Sequence, residues 1–406
     1  MKHFRGICLL WHRYVGLGMA LFLTIAGLTG SVLAFRHEIE RRVAPQLFAK
    51  PQPGVPTLDL ATLAERAPLL PHANIAGVSL NEPDQASIFY TPKKNPATGR
   101  PYDLGFKEFF VNPWTGKELG RRTPDKFSEG SVNLMSIVLH IHDKLFLGGG
   151  GTLFMGLVAL LWTIDCFVAF YLTFPPVTRG FWRHWKPSWL IKRNASTYRL
   201  NLDLHRSFSL WLWPVLFVFA WSSVMFNLRF PVYDFVTRAV FDYHSPIQDF
   251  IKLRVQKPQT PTLEDIDWRK AIATGRRLME EEAGKGGFKP GDPSGIAYVP
   301  YLGAYTYLTN SRVDPMRKAL LMFDPKTERV LVYQNTKELR TGNVVELWLS
   351  KLHTAEGLGL PYKIFVALLG FVIAMLSATG VYLWWKKRSV RRENRTETLE
   401  LTNARV

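Results

Sequence analysis

Four stretches of the sequence are apolar enough to cross a lipid bilayer: 14–35, 152–174, 207–228 and 362–385. A hydrocarbon core of about 30 Å needs about 20 consecutive apolar residues in a helix, and nothing between these windows adds a fifth. Lipid offers the backbone no hydrogen-bond partner, so each window is predicted to be an α-helix. The expected fold class is therefore membrane α-helical, a four-helix transmembrane bundle. The first window follows Lys2 and Arg5 and contains Val32-Leu33-Ala34, in imitation of a secretory signal with a small-residue cleavage site. Its length exceeds the usual apolar core of a signal, and it is read as a span.

Orientation follows from the short basic segments beside the spans. The connector 175–206 carries Arg179, Arg183, Lys186, Lys192, Arg193, Arg199 and Arg206 against one acid, Asp203. The tail opens with Lys386-Lys387-Arg388 and continues with Arg391, Arg392 and Arg395. Both are expected in the cytosol with both termini, which leaves 36–140 and 230–352 outside. A net charge of +18 suggests nucleic acid in a soluble chain. Here it reads instead as topology and contact with anionic lipid, so no nucleic-acid partner is expected. Trp182, Trp185 and Trp189 predict an interfacial stretch within the connector. Cys8 and Cys166, the only cysteines, fall at or inside spans, which excludes a disulfide framework and a cysteine-held zinc or iron–sulfur site.

The chain then divides into helix 1 with the N-terminus (1–35), an outer module (36–140) and helix 2 (141–174). The connector (175–206), helix 3 (207–229), a second outer module (230–352), helix 4 (353–385) and the tail (386–406) follow. The two halves repeat one order of parts: span, short helix, β-rich stretch, span. In the outer modules Thr57–Ala67 and Thr262–Glu282 read as helices. The segment 104–120 reads as a hairpin around Asn112-Pro113-Trp114-Thr115-Gly116, and Ala319–Tyr333 as a second around Asp324-Pro325-Lys326-Thr327. Around the spans, His12-Arg13 matches His205-Arg206. Ile141-His142, with Gly148 six positions after the histidine, matches Leu352-His353 with Gly359. Internal duplication with both halves starting inside predicts a pseudo-two-fold axis along the membrane normal.

This repeat pairs four histidines at two depths. His12 and His205 stand at the expected cytosolic ends of the first and third spans, and His142 and His353 at the outer ends of the second and fourth. Imidazole is a neutral axial donor for haem iron, and helical bundles build such sites from facing helices. Taken singly, a histidine near the end of a span is more often an interfacial or hydrogen-bonding residue; the set of four is what predicts two haem-iron sites. Arg13 and Arg206, directly after the inner histidines, suit haem propionates, although the positive-inside rule also accounts for them. His140 is two helical residues from His142 and so on the opposite face; it is kept as the substitute ligand. His37 has no counterpart in the third span, and His3, His72, His184 and His244 read as surface residues. Asp165 lies near mid-membrane, where a carboxylate must be protonated, hydrogen-bonded or set beside a cavity; a proton-relay or redox-tuning role and a structural hydrogen bond are both open to it. No residue is singled out as catalytic.

At these residues the sequence resembles the PepSY-associated transmembrane family, which includes bacterial inner-membrane ferric-siderophore reductases. The resemblance is carried by His12-Arg13 with TIAGLTGSVLAF, IHDKLFLGGGGTLFMG at 141–156, LDLHRSFSLW at 202–211, and LHTAEGLGLP followed by LSATGVYLWW at 352–385. FFVNPWTGKELG at 109–120 looks like the PepSY hairpin, and LMFDPKTERVLV at 321–332 is a copy lacking its glycine. The third span departs from the usual small-residue ending with Trp221-Ser222-Ser223. The resemblance implies two PepSY-like α+β modules outside the cytoplasm, an inner-membrane location, and two b-type haems held by His12, His205, His142 and His353. It also implies electron transfer to a ferric siderophore outside, releasing ferrous iron.

No GxGxxG follows a strand and no P-loop occurs, so a bound nucleotide is not expected; Gly148–Gly151 reads as a loop before a helix. The electron donor is then a quinol, a reduced flavin or a separate reductase. The alternative reading is a non-enzymatic PepSY-type protein that binds or regulates a periplasmic protein or peptide. A siderophore permease is disfavoured, because four spans leave little room for alternating access.

Overall fold

The computed structural model describes residues 2–176, 179–245, 266–310 and 318–403. In chain order the helices are α1 (Lys2–Leu33), α2 (Arg36–Val43), α3 (Leu60–Arg66), α4 (Leu134–Lys144), α5 (Gly148–Leu172) and α6 (Phe181–Trp185). They continue with α7 (Thr197–Trp211), α8 (Trp213–Asn227), α9 (Asp234–Val240), α10 (Trp268–Lys285), α11 (Thr341–Thr354) and α12 (Gly359–Asn403). The strands are β1 (Ala73–Glu82), β2 (Gln85–Pro92), β3 (Glu108–Val111), β4 (Glu118–Arg122), β5 (Asp292–Val299), β6 (Ala304–Asn310), β7 (Ala319–Phe323) and β8 (Val330–Asn335). Two compact units result, one from 1–36, 138–239 and 345–406, the other from 37–137 and 240–344.

In the first unit α1, α5 and the stretch Gly359–Val390 of α12 are each long and apolar enough to span a membrane. The expected straight third span is instead a pair: α7 and α8 meet at Leu212 with a bend of 72° and pass the same test only together. Pro214 accounts for the break, since it has no N–H for the Leu210 carbonyl and its ring crowds that turn. The apolar windows 152–174 and 362–385 fall on α5 and α12, but the helices read as 141–174 and 353–385 are each broken near their start. His142 and His353 lie on α4 and α11, short helices that end before the apolar helices begin. Leu145 and Phe146 after α4, and Ala355 after α11, take positive φ and turn the chain. Gly148–Gly151, expected as a loop, forms the first turn of α5. A side chain on Gly151 would strike the Lys144 carbonyl, so only glycine lets α5 start this close to the end of α4. Gly27 of α1 and Gly370 of α12 each face the other's backbone, and Ser31 Oγ donates to the Ala367 carbonyl at 2.7 Å.

Trp182 is exposed, but Trp185 is buried among Phe170, Phe174 and Phe181 and donates to Thr173 Oγ1.

The second unit is one antiparallel sheet of eight strands in the order β4-β3-β2-β1-β5-β6-β7-β8. The two outer segments, read from the sequence as one module each, share it through β1 and β5, which pair at Val78↔Ile296. Alternation sorts the side chains: Phe109, Val111, Leu321 and Phe323 pack with Leu63, Ala64, Ile272 and Met279 of α3 and α10, while Phe110 and Met322 join clusters on the other face. Both helices start on an aspartate N-cap. Asp59 accepts from Ala61 and Thr62, and Asp267 from Lys270. The cap at Asp267 sets the start of α10 at Trp268 rather than Thr262, and 262–265 lie outside the described residues.

The two hairpins share one turn. Asn112 Oδ1 accepts from Trp114 and Thr115 N–H, and Asp324 Oδ1 from Lys326 and Thr327 N–H. Both turns close on a residue of positive φ, Gly116 at 75° and Glu328 at 54°. The missing glycine is thus replaced by a glutamate held in the left-handed region, where Arg277 pairs with its carboxylate at 2.5 Å.

Candidate functional site

Within the helical unit the four histidines meet as two pairs. The rings of His12 on α1 and His205 on α7 have centres 6.0 Å apart. Those of His142 on α4 and His353 on α11 are 6.1 Å apart. In every one Nδ1 carries the hydrogen bonds. His142 Nδ1 donates to the Ala26 carbonyl and to Thr29 Oγ1, both at 3.0 Å. His353 Nδ1 donates to Ser222 Oγ at 2.7 Å. His205 Nδ1 donates to the Leu376 carbonyl at 3.0 Å and Thr379 Oγ1 at 3.1 Å. His12 Nδ1 lies 2.9 and 3.1 Å from the two oxygens of Asp165. The hydroxyls of Thr29, Ser222 and Thr379 are already committed to carbonyls of their own helices, so they accept from the imidazoles.

With Nδ1 fixed as the donor, Nε2 is the nitrogen each ring offers a metal. Two imidazoles sharing one metal at about 2 Å per bond place their ring centres about 6 Å apart, which is the spacing of both pairs. Among the described residues no group of three or more His, Cys, Asp or Glu could hold a metal ion. Two-nitrogen sites of this kind suit a metal whose other ligands come with a cofactor, as in haem. The surroundings fit as well. A cavity of 340 Å³ opens beside the first pair, lined by His12, His205, Gly16, Leu17, Phe170 and Trp213 among others. Added side chains at Gly30 and Gly380 would lie 3.2 Å from Cε1 of His142 and His205, so both glycines let a histidine lie close against the neighbouring helix.

Arg13 lines that cavity. Arg206 donates to the fully buried Asp203 at 3.1 Å and to the Pro187 carbonyl at 2.8 Å, tying α7 to the connector. His140, the substitute, lies with its ring 5.4 Å from Phe146, and it is His142 that faces His353. Asp165, for which a hydrogen bond was one of the roles left open, is the partner of His12. Thr29, Ser222 and Thr379 were not anticipated. A signal for two of them is in the repeat, since the offset of 193 that carries His12 onto His205 also carries Thr29 onto Ser222.

The sheet unit has its own polar cluster. Arg122 is buried between Glu40 and Glu108. His37, which has no counterpart in the third span, pairs with Glu82 at 3.1 Å, and Arg41 reaches both Glu82 and Asp84. The hydrogen bond from His37, reinforced by Arg41 against the opposing effect of burial, holds the Glu82 carboxyl down at about 2.

No curated protein matches the sequence. The PepSY-associated TM region does, over residues 9–387. With that match covering nearly the whole chain, this membrane protein belongs to the PepSY-associated transmembrane family.

Proposed function

We propose that this protein is an oxidoreductase of the bacterial inner membrane that binds two b-type haems and passes electrons outward to a ferric siderophore, which releases its iron as the ferrous ion. The observation that carries the reading is the matched geometry of the two histidine pairs, with ring centres 6.0 and 6.1 Å apart and every Nδ1 engaged. In this reading the bent pair α7–α8 is the third crossing, the chain is a duplicated four-helix bundle, and the basic connector and tail face the cytosol.

When bound, haem supplies one-electron iron chemistry. The chain's residues do the rest. His12 and His205 hold the inner group and His142 with His353 the outer one. The acceptors at Asp165, Leu376, Thr379, Ala26, Thr29 and Ser222 keep each imidazole in the tautomer that presents Nε2. Arg13, on the cavity wall, would pair with a propionate. The two levels are far enough apart to divide the bilayer. Ala26, which accepts from His142, is fourteen residues along α1 from His12, about 21 Å at about 1.5 Å per residue. Electrons come from a quinol, a reduced flavin or a separate reductase. At the outer face, reduction of the chelated ferric ion weakens its bonds to hard oxygen donors.

The test is an absorption spectrum of protein purified from haem-sufficient cells and reduced with dithionite. Two b-type haems per chain are expected, with His12→Ala and His353→Ala each removing one, and a ferric hydroxamate should reoxidise the reduced protein. Colourless, folded protein would overturn the reading and leave the non-enzymatic one, in which the outer unit binds a periplasmic protein or peptide.

A further inference from the structure

The four histidines differ in what their Nδ1 atoms face. His142, His205 and His353 donate to neutral oxygens, from backbone carbonyls and hydroxyls. His12 faces a carboxylate, with Asp165 Oδ2 at 2.9 Å and Oδ1 at 3.1 Å. Asp165 is buried, at 6% exposure, and lines the same cavity as His12 and His205. The repeat sharpens the contrast. The offset of 211 that carries His142 onto His353 carries Asp165 onto Leu376, whose carbonyl serves His205. One position of the helix pattern thus serves the inner pair from both halves, once with a neutral backbone oxygen and once with an acid.

We propose that Asp165 is a positioning residue that sets the direction of electron flow: its carboxylate makes His12 a stronger donor and lowers the reduction potential of the inner site below that of the outer one. The inference rests on the di-haem reading above. A carboxylate behind a ligating histidine raises the basicity of the ring, and a negative charge in a poorly solvated site favours the more positive, ferric state of the iron. The outer pair has no acid among its Nδ1 partners. An electron entering at the cytosolic side therefore moves downhill to the outer site. No bond is made or broken, and His12 keeps its Nδ1 proton while one electron enters and one leaves each ferric/ferrous couple.

The experiment is a potentiometric titration of the purified haem-loaded protein, followed by absorbance, with dithionite as reductant and ferricyanide as oxidant. Two one-electron waves are expected. Asp165→Asn keeps an oxygen for Nδ1 and removes the charge. It should raise the lower wave about tenfold in its equilibrium constant, about 59 mV for one electron, and leave the upper wave in place. Asp165→Leu, which installs the residue of the matched position, should raise it at least as far. Both waves unmoved in a variant that retains two haems would overturn the proposal. If either variant loses the inner haem, His12→Ala decides: the surviving wave must be the upper one, and survival of the lower wave overturns the proposal. Absence of haem from the unmutated protein is a different result, which defeats the di-haem reading before any variant is made.

Discussion

In the first half of the helical unit His142 has two acceptors, the Ala26 carbonyl and the Thr29 hydroxyl. In the second half His353 has the hydroxyl of Ser222 at the matched position, and Phe219, which corresponds to Ala26, stacks on its ring with centres 5.1 Å apart. The two hairpin turns of the sheet unit diverge in the same fashion. They share their side-chain hydrogen bonds but close on glycine in one and glutamate in the other. What both halves retain is geometry, namely a fixed Nδ1 and a left-handed turn residue. What varies is the chemistry that enforces it, and the variation predicts unequal sensitivity to equivalent substitutions.

The largest inequality is expected between His142 and His353. If the pairs hold haem as proposed, Ser222→Ala, which removes the hydroxyl from His353, should weaken haem retention about 10–100-fold, the usual effect of losing a partner of a metal ligand. Thr29→Val leaves His142 its carbonyl and should weaken retention less than about threefold, an estimate scaled down from the same range. Haem transfer to an apoprotein acceptor, followed by absorbance, measures both. Equal losses would break the comparison.

The hairpins come next. Gly116→Ala puts a side chain at φ 75° and 2.9 Å from Cβ of Arg66. It should destabilise the sheet unit by about 1–2 kcal/mol or more. Glu328→Gly relieves strain but adds freedom to the unfolded chain and removes the Arg277 pair, so its net effect should stay within about 1 kcal/mol. Chemical denaturation of the detergent-solubilised protein distinguishes them, and equal destabilisation would show that the turns are not equivalent.

The smallest effect is acid sensitivity in the sheet unit. Glu82 is held at about 2 against an ordinary value of 4.5. A depressed carboxyl stabilises the fold above its unfolded value and loses that contribution as pH falls through the folded one. Stability should therefore decline between about pH 4.5 and pH 2, and Glu82→Gln should flatten that decline. The pair is partly exposed, so the difference should be about 1 kcal/mol or less. Thermal midpoints from pH 5 down to pH 2 test it, and an unchanged slope in Glu82→Gln would remove Glu82 from the account.

The parts legible in the sequence are those written in local pattern. Hydropathy marks the apolar helices, and Asn112-Pro113 and Asp324-Pro325 mark the hairpin turns, because side-chain capping of a turn acts over two or three residues. Strands β1, β2, β5 and β6 were not read. Gly77 interrupts the alternation of β1, and the pairing that joins β1 to β5 is distant in sequence. The bend at Leu212 was hidden because Trp213, Pro214 and Val215 keep the window apolar while Pro214 removes a backbone donor. In the site, the histidine pairs followed from the repeat, but Asp165 lies 153 positions from His12, and only folding brings them together. Ser222 looked like a departure from a small-residue ending, whereas its hydroxyl occupies the place of Thr29.

The shared sheet bears on how the chain is made. β1 ends at Glu82 and its neighbour β5 begins at Asp292, so 209 residues are translated between them. At about 5–20 residues per second that is about 10–40 s in which β1 has one neighbour, β2, and an open edge. An open strand edge pairs readily with another chain. Nascent copies crowded on one membrane are therefore exposed to mispairing at β1 until the second half arrives, and slower initiation should raise the yield of folded protein more than slower elongation.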